Sequence, residues 1–292
     1  MDIQLKNHEI SIALKSQGGE MTSIRKKGVE YLWKGDSAYW GRHAPILFPQ
    51  VGTVKDGRFL YEGQEYPMGQ HGFARDQEFE LTEQSDDRIV FTLRDNEDTR
   101  RMYPFAFELV QEYELCESEI TARWIVKNTD EKPLYFSIGG HPAFRCPLEG
   151  RGDWSQYRIR LMKDGQPLSS IDIHYLKNGV VLEQTEPMEL EEGCLTPSVE
   201  LFSRDALILE DQQADQAVLV DPEGKDYLQV DFVCPVLGIW APVGKAAPFV
   251  CIEPWYGRAD GENFDGELKD REYGNTLEPG EVFKREYRIK VL

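Results

Sequence analysis

Apolar residues recur at every second position through most of this sequence. In EITARWIVKNT, residues 119–129, Ile120, Ala122, Trp124 and Val126 share one parity, and Thr121, Arg123 and Lys127 share the other. FELVQEYEL groups Phe107, Leu109, Tyr113 and Leu115, and RIVFTLR groups Ile89, Phe91 and Leu93. A period of two sends side chains to alternate faces of a strand, whereas an amphipathic helix needs spacings of three and four. QYRIRLM, YLQVDFV and the terminal REYRIKVL repeat the pattern. KNTDEKP, LEGRGD, MKDGQP, DPEGKD and LEPGE lie between such runs and read as turns. The spacing predicts an all-β protein, a large antiparallel sandwich or barrel. A short turn of helix is expected only in the acidic stretch 185–192. No linker or composition shift divides the chain, so residues 1–292 are expected to form a single domain.

Charge narrows the partners. Asp and Glu number 52 against 33 Lys and Arg, a formal net charge of -19. Such a surface repels phosphate backbones and anionic lipid, so neither nucleic acid nor a membrane is an expected partner. MDIQLKNHEI lacks the basic and apolar regions of a secretory signal, and no run of about 18 apolar residues appears. The five cysteines are scattered, with no C-x-x-C pair. Reduced thiols in the cytoplasm are the expectation.

Four segments break the alternation: 41–52 GRHAPILFPQVG, 70–75 QHGFAR, 137–147 SIGGHPAFRCP and 251–257 CIEPWYG. Each joins an ionisable side chain to Gly or Pro and an aromatic, a composition suited to loops that aim a side chain into a cleft. Of the five histidines, His71 and His141 sit beside glycine and near an aromatic, while His8 and His174 read as surface residues. Imidazole is the side chain best matched to proton transfer near neutral pH. Glu253 lies in an apolar run, where a carboxylate is either paired or functional. Taken singly, each has a plainer reading: a turn histidine bonded to backbone, a glutamate paired with a buried arginine, Arg75 as a salt-bridge partner. Walker, dinucleotide-binding, nucleophile-elbow and H-E-x-x-H signatures are absent. His71, His141 and Glu253 remain open as a two-histidine, one-carboxylate metal triad.

In these segments the chain resembles the aldose 1-epimerase (mutarotase) family, and within it the small LacX-like bacterial branch. PILFPQVG, HGFAR, IGGHPAF and CIEPWYG carry the resemblance, in the family's order, from residue 45 to residue 257. It implies a β-sandwich of the galactose mutarotase type with a sugar cleft, and cofactor-free interconversion of the α- and β-anomers of an aldose. It implies Glu253 as the base at the anomeric hydroxyl, His141 as the acid at the ring oxygen, and His71 as a hydrogen-bonding helper. Arg42 and Asp205 are implied to bind substrate, and Arg75, Phe73 and Trp255 are expected to touch the sugar or support the cleft. Mutarotation removes one proton and delivers another, so one base and one acid suffice, without metal or redox cofactor. The expected partner is a small aldohexose, with Arg42 and Arg75 leaving room for a phosphorylated one. The alternatives are a non-catalytic carbohydrate-binding protein and a metal-dependent cupin-like enzyme. A glycoside hydrolase is disfavoured, because it wants two nearby carboxylates and only one acid sits in such a motif.

Overall fold

The computed structural model describes residues 2–292, and strands dominate it. The longest helix among the described residues is the six-residue Glu97–Met102. The alternation in the sequence maps onto burial: Ile120, Ala122, Trp124 and Val126 are at most 1% exposed. On the opposite face of the same strand, Arg123 pairs with Glu112 and Glu286 of its two neighbours.

Two large antiparallel sheets make up the body. The larger runs, in spatial order, through Arg158–Lys163, Gln216–Val220, Asp226–Phe232, Val282–Val291, Glu119–Asn128, Phe107–Cys116, Arg88–Arg94 and Glu80–Gln84. The second runs through Val180–Glu189, Ser170–Lys177, Leu207–Leu209, Val236–Trp240, Phe249–Tyr256, Ile138–Gly140 and Ile46–Leu47. They meet through aromatic side chains. Phe283 of the larger sheet lies 5.4 Å from Tyr256 of the second. Trp124 and Tyr287 press against Gly140, where an added Cβ would stand 3.1 Å from each. A side chain there would push both rings by a few tenths of an ångström, so glycine lets them seat fully in the core. A four-stranded N-terminal sheet, Asp2–Lys6 to Val29–Glu30, adds Leu5, Ile12, Leu14, Met21 and Ile24 to the same core.

The turn clusters fall between strands, as expected. The helical turn expected at 185–192 does not form. Residues up to Glu189 belong to the strand Val180–Glu189, which pairs with Ser170–Lys177 at the rim of the second sheet. Its outer side meets only a single parallel bridge, Val181 to Gly261, and the exposed Glu183, Glu186 and Glu189 suit an edge that must not recruit another strand. Among the described residues, no helix is long and apolar enough to cross a membrane.

Candidate active site

The strand Phe249–Tyr256 lies inside the second sheet and is buried at all eight residues. Cross-strand partners on both sides leave little room for water, and its apolar sequence fits that position. Glu253 is the exception. It sits opposite Gly238 of the neighbouring strand and is 1% exposed. His141 directly follows Ile138–Gly140, on the other side of that strand, and its backbone N–H donates to the Pro45 carbonyl at 3.1 Å. The two side chains converge, with His141 Nε2 3.3 Å from Glu253 Oε2.

His71 approaches from a loop. Its ring meets His141 edge-on, with centroids 5.5 Å apart. The His71 amide donates to the Gly52 carbonyl at 2.8 Å, and the Gly52 amide donates back to His71 Nδ1 at 3.1 Å. This return bond fixes the tautomer. Nδ1 accepts, so the proton of the neutral ring sits on Nε2.

Burial sets the protonation states. Glu253 is raised well above the usual carboxylate range, first by desolvation and then by the charge of Asp205, with the Trp255 indole opposing. His141 is lowered to about 3, first by desolvation and then by the Arg75 guanidinium. His71 is held well below the imidazole range by desolvation and by His141 and Arg75. Burial therefore favours the neutral form of all three.

These groups line a cavity of about 280 Å³ walled by Trp40, Trp240, Trp255, Leu176 and Ile208, with Asp205, Arg75, Gln70 and Thr53 at its polar side. Glu253 Oε2, His141 Nδ1, Trp255 Nε1 and Arg75 Nε are buried without hydrogen-bond partners. An unsatisfied buried polar atom costs about 1–3 kcal/mol. Their concentration around one cavity fits a ligand rich in donors and acceptors.

Of the side chains expected from the sequence, His71, His141, Glu253, Arg75, Asp205 and Trp255 share this cavity. Phe73 does not. It is a core residue, its ring packed against Phe48, Tyr103 and Phe107. Arg42 lies in an adjoining groove with Lys15, Arg75 and Asp76, and its guanidinium pairs with Asp76 at 2.8 Å. His174 is not a surface residue: its Nδ1 lies 2.9 Å from the Leu182 carbonyl and its Nε2 lies 3.5 Å from Glu210. The metal triad changes membership as well. Among the described residues, the donor atoms that approach within 4.8 Å of one another belong to His141, Cys251 and Glu253, without His71. Sequence reasoning missed Thr53, Leu176 and Ile208 of the cavity wall, and above all Trp40. Its ring stacks on His141 at 4.6 Å and 24°. Its only sequence signal is an aromatic directly before GRHAP.

Comparison with known proteins finds relatives along the whole chain. The sequence profile of the family described as aldose 1-epimerase matches residues 1–290. The plasmid and chromosomal LacX proteins of Lactococcus lactis subsp. lactis are each 32% identical to this chain over 301 residues, covering 100% of both partners. Among solved structures, a galactose mutarotase related enzyme from Lactobacillus acidophilus superposes with a TM-score of 0.93 at 31% identity, over 100% of this chain and 97% of that one. A galactose mutarotase-like protein from Lactobacillus casei gives 0.90 at 28% identity, with both chains fully covered.

Proposed function

The chain belongs to the aldose 1-epimerase family, and from that premise we propose that it interconverts the α- and β-anomers of an aldose by acid–base ring opening, with Glu253 and His141 as the proton-transfer pair. The observation that carries this reading is the 3.3 Å approach of His141 Nε2 to Glu253 Oε2 in the wall of an aromatic cavity. Mutarotation exchanges protons between two oxygens bonded to one carbon, so the base and the acid must stand close together. Desolvation favours a protonated carboxyl beside a neutral imidazole. A carboxylate beside an imidazolium holds the same single proton. Shuttling between these two states is what the reaction needs: Glu253 takes the proton of the anomeric hydroxyl, and His141 gives one to the ring oxygen. The open aldehyde rotates about its C1–C2 bond, and closure on the other face reverses both transfers.

His71 Nε2–H serves as a hydrogen-bond donor near the ring oxygen, because its Nδ1 is occupied by the Gly52 amide. Asp205 accepts from sugar hydroxyls, and the tryptophans pack on the apolar C–H faces. Arg75 steadies the loop through its bond to the Gln70 carbonyl at 2.7 Å and turns its remaining donors to substrate. No step requires a cofactor. The preferred substrate is a neutral aldohexose. Lys15 and Arg42 flank the adjoining groove, but Glu20 and Asp76 already engage them. The protein works as one 292-residue domain, in a reducing cytoplasm that suits its five free cysteines.

Polarimetry of freshly dissolved α-glucose and α-galactose tests the activity, and Glu253→Gln tests the assignment. That variant keeps the shape and loses the basic oxygen, so kcat falls by about 10²–10⁴-fold while sugar still binds. A folded Glu253→Gln protein exchanging anomers at the normal rate removes Glu253 from the mechanism. A wild type that binds sugar without accelerating exchange is a carbohydrate-binding protein instead.

A further inference from the structure

Cys251 has no part in the reaction proposed above, yet it stands beside the residues that do. It lies two positions before Glu253 on the strand Phe249–Tyr256, so both side chains leave the same face. His141 reaches that face from the neighbouring segment, and the donor atoms of the three residues lie within 4.8 Å of one another. We propose that His141, Cys251 and Glu253 form a binding site for a thiophilic divalent cation of the zinc class, and that occupancy blocks the proton-transfer pair.

The donor set selects the metal. Imidazole, thiolate and carboxylate are the ligands zinc takes, whereas magnesium and calcium want oxygens alone. One edge of the donor triangle matches as it stands, while Cys251 Sγ, within 4.8 Å of the other two donors, closes to about 3.6 Å on binding. Bonds of roughly 2.0–2.1 Å at a tetrahedral centre put nitrogen and oxygen ligands about 3.3 Å apart, and His141 Nε2 and Glu253 Oε2 stand at 3.3 Å. Glu253 Oε2, itself one of the donors, is buried and makes no hydrogen bond of good geometry, on a residue that lines the cavity. Three protein ligands leave a fourth position on the cavity side, through which the cation arrives.

Binding is a proton exchange without redox change. The cation displaces the thiol proton of Cys251 and the proton shared by Glu253 and His141, and both leave to solvent. With its lone pairs on the metal, Glu253 no longer accepts a proton and His141 no longer delivers one. Without the cation, Cys251 is an inert thiol among Trp33, Ala143, Ala247 and Phe249.

The inhibition arm rests on the mutarotase reading and the binding arm does not, so the test uses both. Titration with Co²⁺ should raise a thiolate-to-cobalt charge-transfer band in the near ultraviolet, and Zn²⁺ should erase it. Zn²⁺ should slow anomer exchange, with recovery on adding a chelator. In Cys251→Ala the band should vanish, the uninhibited rate should persist, and the inhibition constant for Zn²⁺ should rise by about a hundredfold or more. Losing a direct ligand costs at least what losing its outer hydrogen-bond partner costs, roughly 10–100-fold. Cys251→Ser, closer in volume, serves if the alanine variant melts. Absence of the band in wild type overturns the site, and so does equal Zn²⁺ sensitivity in the variants. A protein that shows the band but no anomer exchange keeps the site and sinks the reaction. An active protein without the band loses the site alone.

Discussion

At Glu253 and His141 the same burial acts on groups of opposite charge type, and the sign can be read in stability. The folded pair takes up a second proton only as pH falls towards the depressed His141 value of about 3, whereas an unfolded histidine binds one near 6.5. The histidine site, counted alone, therefore holds more protons unfolded than folded between those values. His141 contributes stability above about pH 6.5 that is lost as pH falls, at roughly 1.4 kcal/mol for each unit separating the two pKa values. Glu253 runs the other way. Its folded form keeps a proton that the unfolded chain releases, so its contribution weakens as pH rises. Urea midpoints at pH 7 and pH 4.5 should converge or cross for His141→Asn against wild type, with the variant gaining at the lower pH. Parallel losses in the two proteins would contradict a buried neutral His141. The three ionisable residues were legible because each departs from its surroundings: an imidazole beside glycine, twice, and an acid within an apolar run. Phe73 was not legible. Whether its ring meets the cavity or the core depends on the backbone angles at His71 and Gly72, with φ of 66° and 68°, and composition does not encode that choice.

At the scale of elements, three loops carry the site and the sheet holds them. The loop at 69–73 is locked from below, since the Phe73 and Ala74 amides both donate to the Phe48 carbonyl at 3.0 Å. A Cβ on Gly72 would lie 2.3 Å from that same oxygen. Gly72→Ala adds this clash to a left-handed backbone that itself costs of order 1–3 kcal/mol without glycine. Its melting temperature should fall by several degrees, and catalysis should fall further as His71 is displaced. A variant with wild-type stability and rate would show that the loop is not locked. The segment around residue 40 is tied by Glu20, a 2%-exposed carboxylate that accepts from the His43 and Ala44 amides at 2.8 and 2.9 Å. That tie helps explain why Trp40 escaped notice: a loop more than 90 residues from His141 in sequence is brought onto its ring by an acid in the N-terminal sheet. The alternating strands were readable because a half-buried sheet writes its own period. The edge strand at Val180–Glu189 was not, because exposure on both faces erases the alternation.

For the molecule as a whole, a formal net charge of -19 surrounds the cavity, and two of the cations beside it, Lys15 and Arg42, are already engaged by Glu20 and Asp76. Long-range repulsion slows the approach of an anionic sugar and leaves a neutral one untouched. At low ionic strength kcat/KM for glucose should exceed that for glucose 6-phosphate by about tenfold or more, and added salt should narrow the gap. A preference for the phosphorylated sugar that Arg75→Ala abolishes would reverse this reading. The sandwich was visible in the strand periodicity, while the way four distant segments close on one cavity was not, because local patterning does not specify which strands become neighbours. The proposed base sits on a strand buried at every one of its eight residues, among the positions that open last when a native protein fluctuates. Many enzymes lose activity on warming before they unfold, because their sites lie on mobile rims. Here the proposed base is set into the part of the protein that melts with everything else, so any heat inactivation that precedes global denaturation should arise in the loops that carry His71 and Trp40 and not at Glu253.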